Sequence, residues 1–187
     1  MNKVTLRKKT LTDRKKLSLS AVAEKSGLIV EYIVNSHFFH SAGIIACYFA
    51  YKNEVNLNSL LGNADKVILF PRVVQGTLEL DFYIVRSISD FERGVFGLME
   101  PKTTLPKVDI CNIDLFLTPG VAFSKTGERI GYGGGYYDTT FQKKKKESTA
   151  LGVCFDLQIV PSGFAEKWDK KVEGIVTESG INIIKDI

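Results

Sequence analysis

The sequence predicts an α/β fold, and three observations support this. The 187 residues suffice for one substantial core but not for two. Residues 3–38 carry the apolar spacing of two helices. After them, short apolar runs of strand length alternate with polar connections that contain glycine or proline. We therefore expect one α/β domain over residues 1–187, with a helical region at about 1–40 packed on its core.

Composition limits the classes of partner. Apolar residues make up 44% and charged residues 25%, as in an ordinary soluble protein. The formal charge of +4 fits an anionic substrate, and no basic stripe interleaved with aromatic residues indicates nucleic acid. The longest apolar runs, such as Ile44 to Ala50, are far shorter than the roughly 20 residues that span a bilayer. We expect no nucleic acid, no membrane and a monomer.

The cysteines and histidines suggest no site. Cys47, Cys111 and Cys154 are scattered, so neither a disulfide framework nor a metal site is indicated, and a reducing cytoplasm is the expected location. His37 and His40 lie three apart, but no third ligand stands at a suitable spacing. We assign them no role.

The helices come first. Leu6, Leu11 and Leu17 recur at loosely helical spacing, and Ser18 to Ser20 can cap a second helix that runs to about Phe38. On charge alone, the cations of the first helix form a solvated face.

Strand patterns follow, and a polar connection or a helix separates most of them. We expect the strand ending at residue 71 to be closed by its proline. The predicted strands are Gly43–Ala50, Lys66–Pro71, Leu78–Val85, Ile113–Leu117, Ala150–Phe155 and a last short one that Lys171–Val176 leads into. A short helical stretch is predicted at Leu57–Leu61 and a helix at Tyr136–Lys146, whose four successive lysines we expect to be solvated.

A glycine-rich loop between a strand and a helix is the main functional signal. Four of the five positions from Gly131 to Gly135 are glycine, so the backbone N–H groups can approach an anion closely. The helix that follows adds its free N–H groups and positive end. Arg129 supplies a permanent cation, and Asp138 a carboxylate able to hold Mg²⁺. A phosphate site is predicted, although a tight glycine turn packed with aromatics is the plainer alternative.

Two common nucleotide motifs do not fit this loop. The dinucleotide fingerprint needs a third glycine where Tyr136 stands, and no Gly-Lys-Ser or Gly-Lys-Thr of an ordinary P-loop occurs. The wider segment is more specific. Pro119 to Phe123, a short turn, and then Arg129 to Asp138 closely resemble the signature of the 5-formyltetrahydrofolate cyclo-ligase (5,10-methenyltetrahydrofolate synthetase) family. Ile130, which replaces a leucine, is its one departure.

Thinner matches accompany this signature. Lys3 and Arg7 match the family's N-terminal Lys-x-x-x-Arg, which helps to hold the nucleotide, and Phe96 to Pro101 resembles an element beside its folate pocket. The resemblance implies a three-layer α/β/α fold with a mainly parallel sheet, similar to the sugar-phosphate isomerase and CoA-transferase-like architecture.

The resemblance also implies a reaction. ATP and Mg²⁺ convert 5-formyltetrahydrofolate, which can be polyglutamylated, to 5,10-methenyltetrahydrofolate with release of ADP and phosphate. The γ-phosphoryl group passes to the formyl oxygen, and N10 then closes the ring, so the protein mainly supplies alignment and charge stabilisation.

Residue roles follow from the same resemblance. Arg129 and Tyr137 are the catalytic candidates. Phe49, Glu54 and Glu100 would position the folate, although alone they indicate a core residue, a surface charge and a capped turn. Asp138 and Glu173 would hold Mg²⁺; Glu173 stands where the family usually has aspartate, so it would act through a water or a longer reach. The nucleotide contacts would be Lys3, Arg7, Arg129, Ile130, Gly131, Tyr132, Gly133, Gly134, Gly135, Tyr136 and Tyr137.

Two other functions remain compatible with the residues. One is an enzyme of the same architecture that acts on a sugar phosphate or a CoA ester, with the glycine loop holding the substrate phosphate. The other is a non-catalytic nucleotide- or RNA-binding module that uses the loop and the basic helices.

Overall fold

A computed structural model describes residues 2–94 and 97–184. The helices are α1 (Lys3–Lys15), α2 (Leu19–Val34), α3 (His37–Ser41) and α4 (Tyr136–Lys143). The strands are β1 (Ile44–Ala46), β2 (Val67–Val73), β3 (Leu80–Ile84), β4 (Phe91–Arg93), β5 (Met99–Pro101), β6 (Lys107–Val108), β7 (Leu115–Pro119), β8 (Ala122–Ser124), β9 (Arg129–Ile130), β10 (Thr149–Val153), β11 (Ile159–Val160), β12 (Gly174–Thr177) and β13 (Gly180–Ile183). Among the described helices, none is long and apolar enough to cross a membrane.

The main sheet has eight strands in the order β13-β12-β10-β7-β1-β2-β3-β6. Its five central strands, from β12 to β2, pair in parallel, and the strands at both edges pair antiparallel. The expected α/β fold with a mainly parallel sheet is therefore confirmed. Parallel strands buried on both faces need helices above and below them.

Side-chain alternation along the strands separates the two faces of this sheet. Leu115 and Leu117 of β7 join an apolar cluster with Ile29 of α2, while Phe116 between them joins a second cluster with Phe141 of α4. Successive side chains of a strand point to opposite faces, so α2 and α4 cover opposite sides. The molecule has three layers in the order helix, sheet, helix.

A smaller sheet, in the order β11-β8-β9, connects α1 to the glycine loop. Leu6 of α1 packs in one cluster with Ala122 of β8 and Ile130 of β9. Since the glycine loop begins directly after β9, this packing brings the cationic side chains of α1 to the loop.

Several element boundaries differ from the sequence prediction. The second helix ends at Val34, because Ser36 caps a new helix by accepting a hydrogen bond from the Phe39 amide. Strand β2 does not end at Pro71 but pairs it with Phe82 of β3. The β1 side of β2 is unpaired beyond Leu69, so the missing N–H of proline leaves no ladder bond broken there. Strands β4, β5, β6, β8, β9, β11 and β13, and with them the small sheet, were not predicted.

Candidate functional site

The glycine loop offers a row of free backbone donors. Among hydrogen bonds between described residues, none has a donor amide from Gly131 to Asp138. Gly133 and Gly135 have φ angles of 104° and 73°, which favour glycine over any other residue. Gly135 is also the N-cap of α4 and has no side chain to satisfy the first helical amides. An anion would find these donors and the positive end of α4 together.

Helix α1 directs its two predicted cations to different partners. Arg7 donates from Nε to the carbonyl oxygen of Gly131 at 2.8 Å. Lys3, one turn earlier, forms ion pairs with Glu166 at 2.6 Å and Asp169 at 2.5 Å. Neither side chain lies on a solvated face: Arg7 contacts the loop, whereas Lys3 pairs with the acidic segment that precedes β12.

Arg129 lies buried at the base of the loop. Its Nη2 atom is 3.1 Å from Oδ1 of Asp138, and its guanidinium carbon is 5.4 Å from the ring centroid of Tyr137. Its Nε is buried without an acceptor among the described residues. Burial raises the pKa of Tyr137 above its usual range, so its hydroxyl stays protonated and can donate. Arg129, Tyr137 and Asp138 therefore form one cluster.

A second carboxylate, Asp169, approaches this cluster and was missed by the sequence analysis. The amide of the next residue, Lys170, donates to Oδ1 of Asp138 at 3.1 Å. Oδ2 of Asp169 accepts from Lys3 and from the Glu166 amide. Within residues 2–94 and 97–184, Oδ2 of Asp138 and Oδ1 of Asp169 accept no hydrogen bond. Mg²⁺ commonly takes one or two carboxylates plus substrate phosphates, and two free oxygens fit that donor set.

Glu173 lies elsewhere. Its Oε2 accepts from the Ala150 amide at 2.7 Å, and its Oε1 is 2.9 Å from Nζ of Lys144. Ala150 lies near the start of β10, and Lys144 follows the last turn of α4, whereas Asp138 belongs to the first turn of that helix. The structure does not bring Glu173 to Asp138, and both of its oxygens already have partners. Within the described residues, no group of three or more histidine, cysteine or acidic side chains could hold a metal.

Glu54 is a buried carboxyl group rather than a surface charge. Its side chain is 7% exposed, and Oε2 accepts from the Tyr51 amide at 3.0 Å. Burial raises its pKa to about 7, although the Arg14 guanidinium and the Tyr51 amide act in the opposite direction. It lies beyond the carboxyl end of β1, where ligands gather in open α/β sheets.

Arg14 is a buried residue that the sequence analysis did not single out. Its side chain is 1% exposed, and Nη1 lies 3.6 Å from Oε1 of Glu54. Its Nη2 donates to the hydroxyl of Tyr132 at 2.5 Å. One guanidinium thus joins the glycine loop to the Glu54 carboxyl group. The arginine seven residues after Arg7, on the same helix face, was the available sequence signal.

The other two predicted folate residues lie together at the β4–β5 hairpin. The ring of Phe49 packs on Phe91 of β4, with centroids 4.8 Å apart. Glu100 of β5 is 3% exposed, and its Oε2 is buried without a hydrogen-bond donor among the described residues. Arg72 lies 3.9 Å from that atom. Phe96, which belongs to the same predicted element, lies outside the described residues.

The glycine loop is open to solvent. Tyr132, Gly133 and Gly134 are exposed, so solvent reaches the loop amides. Two cavities, of about 260 Å³ and 400 Å³, lie elsewhere: one is between β3, β6 and α4, and the other is at the start of β2. Neither is lined by the loop, Glu54 or Arg129. The charged groups that converge at the glycine loop therefore mark the candidate site.

Comparison with known proteins supports the same assignment. The family model described as "5-formyltetrahydrofolate cyclo-ligase family" matches residues 1–178. The chain is 30% identical over 154 residues to a 5-formyltetrahydrofolate cyclo-ligase of Haemophilus influenzae, covering 79% of this chain and 81% of that protein.

Solved structures agree. The NMR structure of Aquifex aeolicus 5,10-methenyltetrahydrofolate synthetase superposes with a TM-score of 0.87 at 31% identity, covering 100% of this chain and 95% of that one. The corresponding Mycoplasma pneumoniae protein, at 24% identity and a TM-score of 0.78, shares the fold over 95% of this chain and 99% of its own.

The family predicted from the segment Pro119 to Asp138 is thus confirmed, and it is favoured over the sugar-phosphate, CoA-ester and non-catalytic alternatives. The known activity of that family is the ATP-dependent conversion of 5-formyltetrahydrofolate to 5,10-methenyltetrahydrofolate. This chain is a member of the 5-formyltetrahydrofolate cyclo-ligase family.

Proposed function

We propose that the glycine loop and its neighbours carry out the family reaction, with the nucleotide phosphates on the loop amides and the folate beside Glu54. The observation that carries this proposal is the row of amides from Gly131 to Asp138 that have no acceptor within residues 2–94 and 97–184, next to Arg7 and Arg129. Backbone donors and fixed guanidinium groups stabilise the charge that moves during phosphoryl transfer.

The nucleotide would lie between α1 and α4. The amides of the cradle would come from Gly131, Tyr132, Gly133, Gly134, Gly135, Tyr136 and Tyr137, and Ile130 of β9 leads into them. Lys3 and Arg7 would reach the nucleotide from α1, and Arg129 would reach it from the base of the glycine loop. Arg129 keeps a buried Nε without an acceptor among the described residues, so it has a donor available for a phosphate oxygen. Tyr137 can donate from its protonated hydroxyl.

Magnesium would be held by Asp138, with Asp169 beside it. The metal would neutralise charge on the phosphates during transfer. The free oxygens of these two carboxylates support this assignment, whereas both oxygens of Glu173 are occupied.

The folate would pack against Phe49 and the β4–β5 hairpin. Glu54 in its ionised form would accept hydrogen bonds from amino and amide groups of the pterin ring, and Glu100, which belongs to the hairpin, would contribute. Once the formyl oxygen carries the phosphoryl group, it is a good leaving group and N10 can attack. The chain's residues then need only to align the two substrates.

The test is a coupled measurement on the purified protein. ATP consumption should depend strictly on both Mg²⁺ and 5-formyltetrahydrofolate, and the near-ultraviolet absorbance of the methenyl product should rise in step with ADP. Asp138→Asn should raise the Mg²⁺ concentration needed for half-maximal activity, while Glu173→Gln should leave that concentration unchanged. ATP turnover without folate, or none with both substrates present, would exclude the proposal.

Other parts of the assignment are proposals too. We propose a single cyclo-ligase domain over residues 1–187, a monomer, an architecture of the sugar-phosphate isomerase and CoA-transferase-like type, and activity on polyglutamylated substrate. Three free cysteines, two of them buried, support a reducing compartment such as the cytoplasm. Light scattering of the purified chain tests the monomer.

A further inference from the structure

Arg14 occupies an unusual position for an arginine. It projects from the last turn of α1, and its side chain is among the largest that are fully buried. Its Nη1 lies 3.4 Å from the carbonyl oxygen of Gly120, while its Nε has no acceptor among the described residues. Burying a permanent charge with incomplete pairing is unfavourable, so packing alone does not explain an arginine at this position.

The partners of Arg14 come from three separate parts of the chain. Gly120 follows β7, Tyr132 belongs to the glycine loop, and Glu54 belongs to the turn after β1. The same turn is fastened to the end of α1 and the residues after it by Asn53, whose side-chain amide donates to the carbonyl oxygens of Arg14 at 3.5 Å and Leu17 at 3.1 Å. Lys52 and Asn53 both have positive φ angles, so this turn holds a backbone conformation that few residues adopt freely.

We infer that Arg14 is a positioning residue that fixes the Glu54 carboxyl group and the Tyr132 hydroxyl relative to each other, and so aligns the folate with the phosphate loop. This inference rests on the proposed function, because Glu54 and the loop are its two binding elements. A single planar guanidinium with donors on both sides can hold two partners at a fixed separation. Lysine, with one nitrogen, cannot reproduce that geometry.

A merely structural Arg14 would act differently from a positioning one. Its loss would then lower the free energy of unfolding but leave KM for 5-formyltetrahydrofolate and for ATP unchanged. The charged and titratable groups that face Glu54 are Arg14 from α1, Tyr132 from the loop, Tyr48 after β1 and Tyr137 from α4. Burial raises the pKa values of all three tyrosines, which stay neutral near pH 7, so Arg14 is the one cation of this set.

The test compares Arg14→Met with Lys16→Met. Both changes remove one cation from the end of α1, but Lys16 is exposed and pairs only with Asp13 in the described part of the chain. KM for 5-formyltetrahydrofolate and for ATP is measured from pH 5.5 to 9, and folding is checked by circular dichroism. For Arg14→Met we expect both KM values to rise about tenfold at pH 7. The pH midpoint of folate KM should move upward by roughly one unit, because the nearby cation is lost.

Lys16→Met should reproduce the wild-type values. A folded Arg14→Met protein with an unchanged midpoint and unchanged KM values would overturn the inference, and so would a lower melting temperature as its only effect. An inactive wild-type protein would instead reject the proposed function, which keeps the two failures distinct.

Two further variants keep the test decisive if Arg14→Met does not fold. Arg14→Lys keeps the charge but not the planar fork, so the midpoint should stay near the wild-type value while KM for ATP rises. Tyr132→Phe removes only the hydroxyl from a residue that is 47% exposed. Combined with Arg14→Lys, it should add little to the KM for ATP, because both changes break the same contact. Fully additive effects, or wild-type KM values for Arg14→Lys, would overturn the inference.

Discussion

The Nε atom of Arg7 lies 2.8 Å from the carbonyl oxygen of Gly131, although 124 residues separate them in the chain. This bond fixes the N-terminal helix to the first residue of the glycine loop. It uses one donor of the guanidinium, and Nη2 lies 3.9 Å from the position that a Cβ on Gly133 would take. The remaining donors therefore lie along the surface where the phosphates would bind.

Arg7→Ala should raise KM for ATP by about tenfold, because a charge-assisted contact contributes roughly 1.5–3 kcal/mol. KM for 5-formyltetrahydrofolate should change less. Lys8→Ala, which removes an exposed cation from the neighbouring position, is the control and should leave both values unchanged. Equal effects of the two variants on KM for ATP would show that only the overall charge of α1 matters.

Arg129→Ala should lower kcat by at least tenfold, since Arg129 contributes a buried cation next to the loop amides that we propose to bind phosphate. Arg129→Lys should recover part of this loss, because it keeps the charge while losing the pair of donors. Steady-state kinetics at saturating ATP measures the effect, with circular dichroism as the check on folding. Wild-type kcat in a folded Arg129→Ala protein would remove Arg129 from the site.

Glu54→Gln should change the pH dependence of stability. The folded-state pKa of about 7 lies above the ordinary glutamate value of 4.5, so the stability that the protonated carboxyl group contributes is full below pH 4.5 and is lost as the pH rises through 7. Glutamine stays neutral, so the variant should gain up to about 3 kcal/mol in unfolding free energy, relative to wild type, between pH 4.5 and 8. Denaturant unfolding across this range measures the difference, and a difference independent of pH would contradict the buried state of Glu54.

The same variant should bind folate less well above pH 7, where wild-type Glu54 is ionised and can accept two hydrogen bonds from the pterin. KM for 5-formyltetrahydrofolate should therefore rise while KM for ATP stays close to wild type. An unchanged folate KM would place the pterin elsewhere.

Gly94→Ala should destabilise the β4–β5 hairpin. A Cβ at this position would lie 2.6 Å from Cγ of Glu100 and closer still to its carboxyl group, so Glu100 would have to move. We expect a loss of about 1–3 kcal/mol, typical of overpacking, and a higher folate KM. Gly27→Ala in α2 is the matched control: it has open space around its Cβ and should stabilise the protein by about 0.5–1 kcal/mol. Similar melting temperatures for the two variants would contradict this packing.

The local motifs were predictable because each is formed by residues that are close together in the sequence. The strand, the glycine loop and the start of α4 follow one another in the chain, so Arg129, the loop amides and Asp138 had to fall close together. The spacing of Lys3 and Arg7 likewise placed both on one helix face. The α/β class followed from apolar runs and their separations.

Residues distant in sequence were harder to place. Lys143, Lys144 and Lys145 were expected to be solvated, but each reaches a carboxylate from another part of the chain. Asp169 approaches Asp138 and Glu173 does not, although the two residues are only four apart. In the second case the chain enters β12, whose pairing with β10 directs Glu173 toward Ala150.

The sequence by itself determined the α/β class, the glycine loop between a strand and a helix, and the family, because each depends on residues that are close together along the chain. Only the tertiary structure decided that Arg14 would be buried between Glu54 and Tyr132. The order of strands in the sheet and the packing of α1 on the small sheet set that contact, and neither is encoded in a local pattern.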